Sequence, residues 1–386
     1  MKKNSIPAPV SKKTRHRKRG AKNAHINRQN SSLAPKCTIG LDLGDKTSRY
    51  CMLDQDGNET KEAGVATTKK SLTALFGKLR RSRIALEAGT HSPWVSRLLE
   101  SLGHEVIVAN PRRVRSISES NRKDDKRDAR FLARLGRVDV QLLFPIRHRG
   151  ERAQQHLVTI RCRAALVDSR TGLINTVRGQ AKSYGERIGG CDADQMRKEK
   201  LSALPEGLRV ALEPVVEMVE QMTEKIHGYD QQLAEIAREE YPETALLEQI
   251  SGVGLLIALT YILTLDDPSR FERSRDVGAY LGLRPKRKES GKSQPQLSIT
   301  KEGDVYLRRL LVQGAHYIMG SRGPDTDLKR WGLKLAGNGS KKAKKRAVVG
   351  VARKLAVLLH HLWVSGEEYE PLRNSAAAQK AAGRAA

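Results

Sequence analysis

At 386 residues the chain exceeds one typical domain, so two or three are expected. Hydrophobic residues at 38% supply real cores, the 4% of aromatics leaves Leu, Val, Ile and Ala to fill them, and no run of about 18 apolar residues suggests a membrane span. The formal charge of +28 calls for a polyanionic partner, nucleic acid being the usual one, and the basic N-terminus has no apolar stretch of the kind a secretory signal needs.

Residues 1–36 hold eleven Lys or Arg and no Asp or Glu. Such a segment cannot bury a core and is expected as a disordered basic arm, either a loose phosphate tether or a dispensable tail. Thr38–Leu43 then reads as a first strand and Arg49–Asp54 as a second, with Asp56-Gly57-Asn58 as a turn and a third strand near Lys61–Ala66. Leu72, Leu75, Phe76 and Leu79 have helical spacing within Ser71–Arg81. Arg83–Ala88 reads as a buried strand carrying Glu87, Pro93–Leu102 as a helix stopped by Gly103, and Glu105–Ala109 as a strand broken by Asn110-Pro111. This order is that of an α/β domain with a mixed sheet, over residues 37–150, and fits a ribonuclease-H-like fold. From Arg112 to Arg137 the chain is strongly basic, and Asp125–Leu135 reads as a helix within it.

Residues 151–245 carry two long periodic segments, Arg152–Gly179 and Leu208–Glu240. Their narrow apolar stripes predict an antiparallel helical hairpin or coiled coil, suited to spacing and oligomerisation. Residues 246–365 form a second, mainly helical domain. It opens on Ile250-Ser251-Gly252-Val253-Gly254, a turn that serves either as a phosphate-binding helix start or as a tight helix–helix connection. Helices are expected over Leu255–Leu265, Asp304–Met319 and Arg346–Val364, with a basic cluster at Lys341–Lys345. Residues 366–386 are expected as a disordered tail. Cys37, Cys51, Cys162 and Cys191 share no metal-ligand spacing, which points to a reducing, cytoplasmic setting.

The chemistry concentrates in four carboxylates. Asp42 lies in an apolar strand, where a carboxylate is costly without a partner. Glu87 ends a later strand, and Asp125 and Asp128 share one helix face at i and i+3. Converging at one sheet edge, they would suit magnesium, Mg2+, which takes a few carboxylates plus water and phosphate oxygens. Two such ions activate the attacking oxygen and stabilise the leaving one in phosphoryl transfer. Taken singly, each has a plainer reading: a turn cap for Asp42, a surface strand end for Glu87, and helix-face ion pairs for Asp125 and Asp128.

Several stretches resemble the DEDD transposases of insertion sequences, the group of bridge-RNA-guided recombinases. They are Ile39-Gly40-Leu41-Asp42, Leu86-Glu87, Asn110-Pro111-Arg112-Arg113-Val114 and Asp125-Lys126-Arg127-Asp128-Ala129-Arg130. The C-terminal stretches are Ile250–Gly254, Tyr280-Leu281-Gly282-Leu283-Arg284-Pro285, Glu289-Ser290-Gly291-Lys292 and Ile299–Asp304 followed by Leu307–Leu311. The resemblance covers roughly residues 37–365; Asp124 departs from it, standing where the family usually has Thr. It implies a RuvC-like N-terminal domain, a helical linker and a transposase domain with a serine nucleophile. Here that serine is Ser290, with Ser293 as rival; the residues alone make Ser290 an ordinary loop serine. It also implies a bacterial, nucleoid-associated enzyme that cuts and rejoins DNA under an element-encoded guide RNA, as a homo-oligomer, dimer or tetramer.

Nucleic-acid contacts are expected from Arg112, Arg113, Arg115, Arg122, Lys123, Lys126 and Arg127. A second set comprises Lys286, Arg287, Lys288, Lys292, Lys341, Lys342, Lys344 and Lys345. With few aromatics for stacking, RNA recognition should lean on phosphate and 2′-OH contacts. The rival readings are a junction-resolving endonuclease using water, and a non-catalytic nucleic-acid-binding protein. Asp42-Leu43-Gly44-Asp45-Lys46-Thr47 also resembles the first phosphate loop of actin-like ATPases, but no second phosphate loop or adenosine site accompanies it.

Overall fold

The computed structural model describes residues 37–114, 125–288, 293, 295 and 297–375, with backbone alone at 125 and 126. The expectations for the arm 1–36, for Arg115, Arg122, Lys123, Ser290 and Lys292, and for 376–386 lie outside them. The chain divides into two compact units, residues 1–148 and 149–386.

The first unit holds five strands, β1 (Thr38–Asp42), β2 (Thr47–Leu53), β3 (Glu59–Ala66), β4 (Arg83–Glu87) and β5 (Glu105–Ala109). Helices α1 (Lys69–Phe76), α2 (Ser92–Ser101), α3 (Pro111–Val114) and α4 (Asp125–Val138) interleave with and follow them. The sheet order is β3-β2-β1-β4-β5. β2 runs antiparallel to β1 and to β3, whereas β4 runs parallel to β1 and to β5. A mixed sheet of this kind is compatible with a ribonuclease-H-like α/β domain.

Alternation along the strands sorts the side chains between two layers. Ile39, Leu41, Tyr50, Met52, Ile84 and Leu86 pack with Leu72 and Phe76 of α1 and Val95 and Leu99 of α2. On the other face Cys51 and Leu53 meet Ala129 and Ala133 of α4, and Ala85 and Ala109 meet Leu132. Gly40 faces α4 with no side chain: a Cβ there would lie 1.9 Å from the Ala129 carbonyl oxygen. Part of the basic run is used internally, since Arg130 pairs with Glu59 and Glu62 of β3 and Arg137 donates to the Gln55 carbonyl. Burial pushes the Cys37 and Cys51 thiols above their ordinary range, and all four cysteines are free thiols.

The second unit is helical. α5 (Glu151–Ser183) and α6 (Glu206–Glu240) are followed by α7 (Thr244–Glu248), α8 (Leu255–Leu265) and α9 (Arg275–Tyr280). α10 (Val305–Met319), α11 (Asp327–Ala336) and α12 (Lys341–Ser365) complete it. Ala153, Leu157 and Ile160 of α5 pack with Leu233 and Ala237 of α6, while Ile174 and Val177 pack with Leu212, Val216 and Val219. The pair is therefore an antiparallel hairpin. Its α5-start end packs on α8 and α10 through Leu259, Leu263, Tyr306 and Leu310.

α12 is the centre of the remaining core, contributing Val351, Ala352, Leu355, Ala356 and Leu359. By length and hydropathy it passes for a membrane span, yet half of its apolar window is buried inside this unit, as for a core helix. Tyr261, fully buried on α8, donates its hydroxyl to the Ala356 carbonyl at 2.6 Å. Tyr261→Phe is expected to cost about 1 kcal/mol, read as a lowered denaturation midpoint.

Two expectations are corrected here. The last helix begins at Lys341 rather than Arg346, so Lys341–Lys345 form its first turn. Residues 366–375, expected as the start of a disordered tail, are held in place: Tyr369 donates its N–H to the Gln249 side chain, Asp327 donates its N–H to the Pro371 carbonyl, and Asn374 donates its N–H to the Asp327 carboxylate. The Asp327 bond satisfies one first-turn N–H of α11, and the Thr326 side chain accepts another from Lys329.

Candidate active site

Strand register brings the first two carboxylates together. β1 and β4 pair in parallel with Leu41 opposite Leu86, so Asp42 and Glu87 are the next residues on adjacent strands, at the same sheet edge. Both lie on the face that carries α4. Thr38, Gly40 and Asp42 alternate with the opposite-facing Ile39 and Leu41, and Ala85 and Glu87 follow the same rule. Both residues are half-buried.

The direction of α4 decides where the other two fall. Its Gly136 sits against Thr38 and Ala85, and its Ala129 and Ala133 sit against Gly40. The helix therefore runs antiparallel to β1 and begins at the Asp42 end of the sheet. Asp125 is its first residue, and Asp128 is exposed in the same first turn. A helix N-terminus favours negative charge, which offsets part of the repulsion among neighbouring carboxylates.

Hard carboxylate oxygens are the donor chemistry that suits Mg2+. Among the described residues no three His, Cys, Asp or Glu side chains gather at metal-binding range. The described Asp42, Glu87 and Asp128 therefore do not by themselves form the expected cluster.

Basic residues flank the same edge. β5 ends at Ala109 opposite Glu87, and α3 follows directly. Arg112 and Arg113 are exposed on α3, whose first turn is capped by the Asn110 side chain, and Arg113 lies over the Phe144 ring at 5.5 Å. Arg127 is exposed on α4.

A polar cluster that the sequence did not single out joins the loops after β1 and β4. Trp94 donates its indole N–H to His91 Nδ1 at 3.1 Å, and His91 Nε2 lies 3.3 Å from the Asp45 carboxylate. Indole is a donor only, so His91 Nδ1 accepts and Nε2 carries the proton. No local spacing signals this, because Asp45 and His91 are 46 residues apart.

In the second unit, Arg284 to Lys288 and Leu297 to Thr300 pair as a short ribbon. Pro285 bridges Ile299, Lys286 donates its N–H to the Ser298 carbonyl, and Thr300 donates its own to Arg284. Its base is locked where Gly282 and Gly303, both at positive φ, let two backbones cross, and the buried Arg308 donates to the Leu281 and Glu302 carbonyls. The segment with Ser290 connects the two ribbon strands in sequence. Lys286, Arg287 and Lys288 are exposed, as are Ser293 and the lysines 341, 342, 344 and 345. The Gly252–Gly254 turn is a close helix–helix connection: a Cβ on Gly252 would lie 2.9 Å from Tyr317 and 3.1 Å from the Gly314 carbonyl.

Residues 39–185 match a family described as transposase, and residues 244–329 match the transposase IS116/IS110/IS902 family. The chain belongs to this transposase family. The transposase for insertion sequence element IS1111A of Coxiella burnetii is 27% identical, over 86% of this chain and 90% of its own length. A putative transposase of Sinorhizobium fredii, y4pF/y4sB, is 29% identical over 80% of each chain. The transposase for IS1328 of Yersinia enterocolitica is 29% identical over 73% of this chain and 83% of its own. Membership makes DNA the partner of this transposase and strand cutting and rejoining its activity. The first matched region spans the whole sheet, α4 and α5, and the second runs from α7 into α11.

Proposed function

We propose that this transposase moves an insertion sequence by Mg2+-dependent phosphoryl transfer, with Asp42, Glu87, Asp125 and Asp128 as carboxylate ligands in a RuvC-like domain and Ser290 as nucleophile. The observation that carries the carboxylate reading is the shared sheet edge of Asp42 and Glu87, with α4 beginning there. When bound, Mg2+ offsets the charge of the scissile phosphate and supports the attacking and leaving oxygens. The Ser290 Oγ–H loses its proton as Oγ bonds to phosphorus. The phosphorus–oxygen bond to one strand end breaks, and that oxygen gains a proton. The product is a phosphoserine ester that the rejoining strand later displaces. Lys286, Arg287 and Lys288 hold backbone phosphates beside the serine by charge-assisted hydrogen bonds.

The charge of +28 and the scarcity of aromatics support guidance by base pairing with an element-encoded RNA, gripped through its phosphates. A homo-oligomer, dimer or tetramer, supplies the several strand cuts. The test is to incubate the full-length protein with its flanking element RNA, target DNA and Mg2+, and to look for a denaturant-stable protein–DNA adduct. The expected result is an adduct that Ser290→Ala abolishes and Ser293→Ala retains. Cleavage without any adduct would replace the serine with water as nucleophile and make the enzyme a resolvase-like endonuclease.

A further inference from the structure

The far end of the α5–α6 hairpin carries a basic hollow that the catalytic reading does not use. α5 ends at Ser183, and the chain reverses through Tyr184 and Gly185, the latter at φ +79°. Glu186 donates its N–H back to the Ala181 carbonyl, and Gly185 to Lys182. This reversal returns Arg187 and Ile188 alongside the last turns of α5. With Arg178 and Lys182, one turn apart on α5, they line a cavity of about 320 Å³. Three of the four lining side chains are cations and none is acidic.

The hollow is held by a built framework. Arg178 donates to the Cys191 carbonyl at 2.9 Å, fixing the returning loop. The buried Arg170 binds Asp194 and Thr223 Oγ1, and Lys198 is held by Glu217, so the segment from 184 to 205 is tied to both helices. Ile174, Val177, Ala181, Met196 and Leu201 pack beneath it. Among the described residues, Arg170 and Lys198 are ion-paired, whereas Arg178, Lys182 and Arg187 are not. Like charges at i and i+4 repel, so this arrangement calls for an anion. Beside it, Tyr184 is 69% exposed, an uncommon position for a large ring in a chain with 4% aromatics.

We infer that this hairpin tip is a binding site for single-stranded nucleic acid: the three cations take backbone phosphates and Tyr184 stacks on a base. A basic groove next to an exposed aromatic ring is the arrangement that single strands use, whereas a duplex keeps its base faces covered. The hairpin thus does more than space or join subunits. The inference stands apart from the carboxylate and serine chemistry, because binding is measured with a chelator present and no cleavage.

The test uses the full-length protein and fluorescent probes of single-stranded RNA, single-stranded DNA and duplex DNA, titrated across salt concentrations. Each phosphate contact on a single strand contributes about 0.7 to the slope of log affinity against log salt, so K182A/R187A is expected to lower the slope by about 1.4. A control double variant, K225A/R238A, removes two exposed cations of α6 away from the tip and is expected to leave most of the slope in place. Tyr184→Ala is expected to weaken single-strand binding about five- to a hundredfold at unchanged slope, with Tyr184→Phe restoring it and duplex binding little affected. Loss on RNA but not on single-stranded DNA would identify the 2′-OH-bearing strand as the ligand, and equal loss would identify the shared backbone. The inference is overturned if the tip and control variants have the same slope, or if Tyr184→Ala weakens duplex binding as much as single-strand binding.

Discussion

Asp42→Asn is expected to reduce Mg2+-dependent strand cleavage by about a thousandfold, the equivalent of about 4 kcal/mol of transition-state stabilisation. The substitution keeps the shape of the side chain and removes its charge, so the sheet should fold as before by circular dichroism. DNA binding should persist or strengthen, because one repulsive carboxylate is gone from the edge proposed to receive phosphates. The informative partner is Asp45→Asn, three residues further on, where the carboxylate is 90% exposed in the turn after β1. That variant is expected to cleave normally. Near-normal cleavage by Asp42→Asn would exclude the carboxylate edge as the active site and favour a binding role for this unit. Equal losses in the two variants would show that charge in the loop, rather than the strand-end position, matters.

The candidate carboxylates were legible in the sequence because each rests on a short-range rule. An acidic residue in an apolar strand, another at a strand end and a pair at i and i+3 are each visible locally, and β5 and α8 have the expected bounds. What the sequence leaves open is whether the three pieces meet. That depends on the Leu41–Leu86 register and the direction of α4, both of which are long-range. The start of α12 was hidden for a physical reason. Lysines at its first turn oppose the helix dipole, so the stretch reads as a charged cluster rather than a helix start. α11 was passed over, because its apolar stripe is short and its N-cap, Thr326, precedes a mixed basic stretch. β3 was only partly visible: it is an edge strand, and its Glu59-Thr60-Lys61-Glu62 start shows the polar character that protects edges from mispairing. The basic hollow at the hairpin tip was illegible for the same reason as the Asp45–His91–Trp94 cluster. Each depends on a chain reversal or loop contact that brings together residues with no common periodicity.

Gly40→Ala is expected to be the most damaging single-methyl change in the first unit. The added Cβ would lie 1.9 Å from the Ala129 carbonyl oxygen and 2.5 Å from the Ala133 nitrogen, both backbone atoms of α4 that cannot rotate aside. Either β1 or the whole helix must move. Overpacking of a well-filled core commonly costs about 1–3 kcal/mol, and a clash with helix backbone belongs at the upper end or beyond. Gly136→Ala is the graded comparison on the same interface. Its nearest neighbour would be the Ala85 Cβ at 3.2 Å, a side-chain contact that a shift of a few tenths of an ångström relieves, so a cost of about 1 kcal/mol is expected. Chemical denaturation of the two variants measures the difference. The functional consequence follows from the same contact. A helix pushed off β1 carries Asp125 and Asp128 away from Asp42 and Glu87, and active-site groups displaced by about 1 Å lose on the order of a hundredfold in rate. Gly40→Ala should therefore lose strand cleavage even under conditions where it remains folded, while Gly136→Ala, one turn beyond Ala133 and remote from the carboxylates, should keep it. Loss of cleavage in both, or in neither, would separate the spacing of α4 from the chemistry at its start.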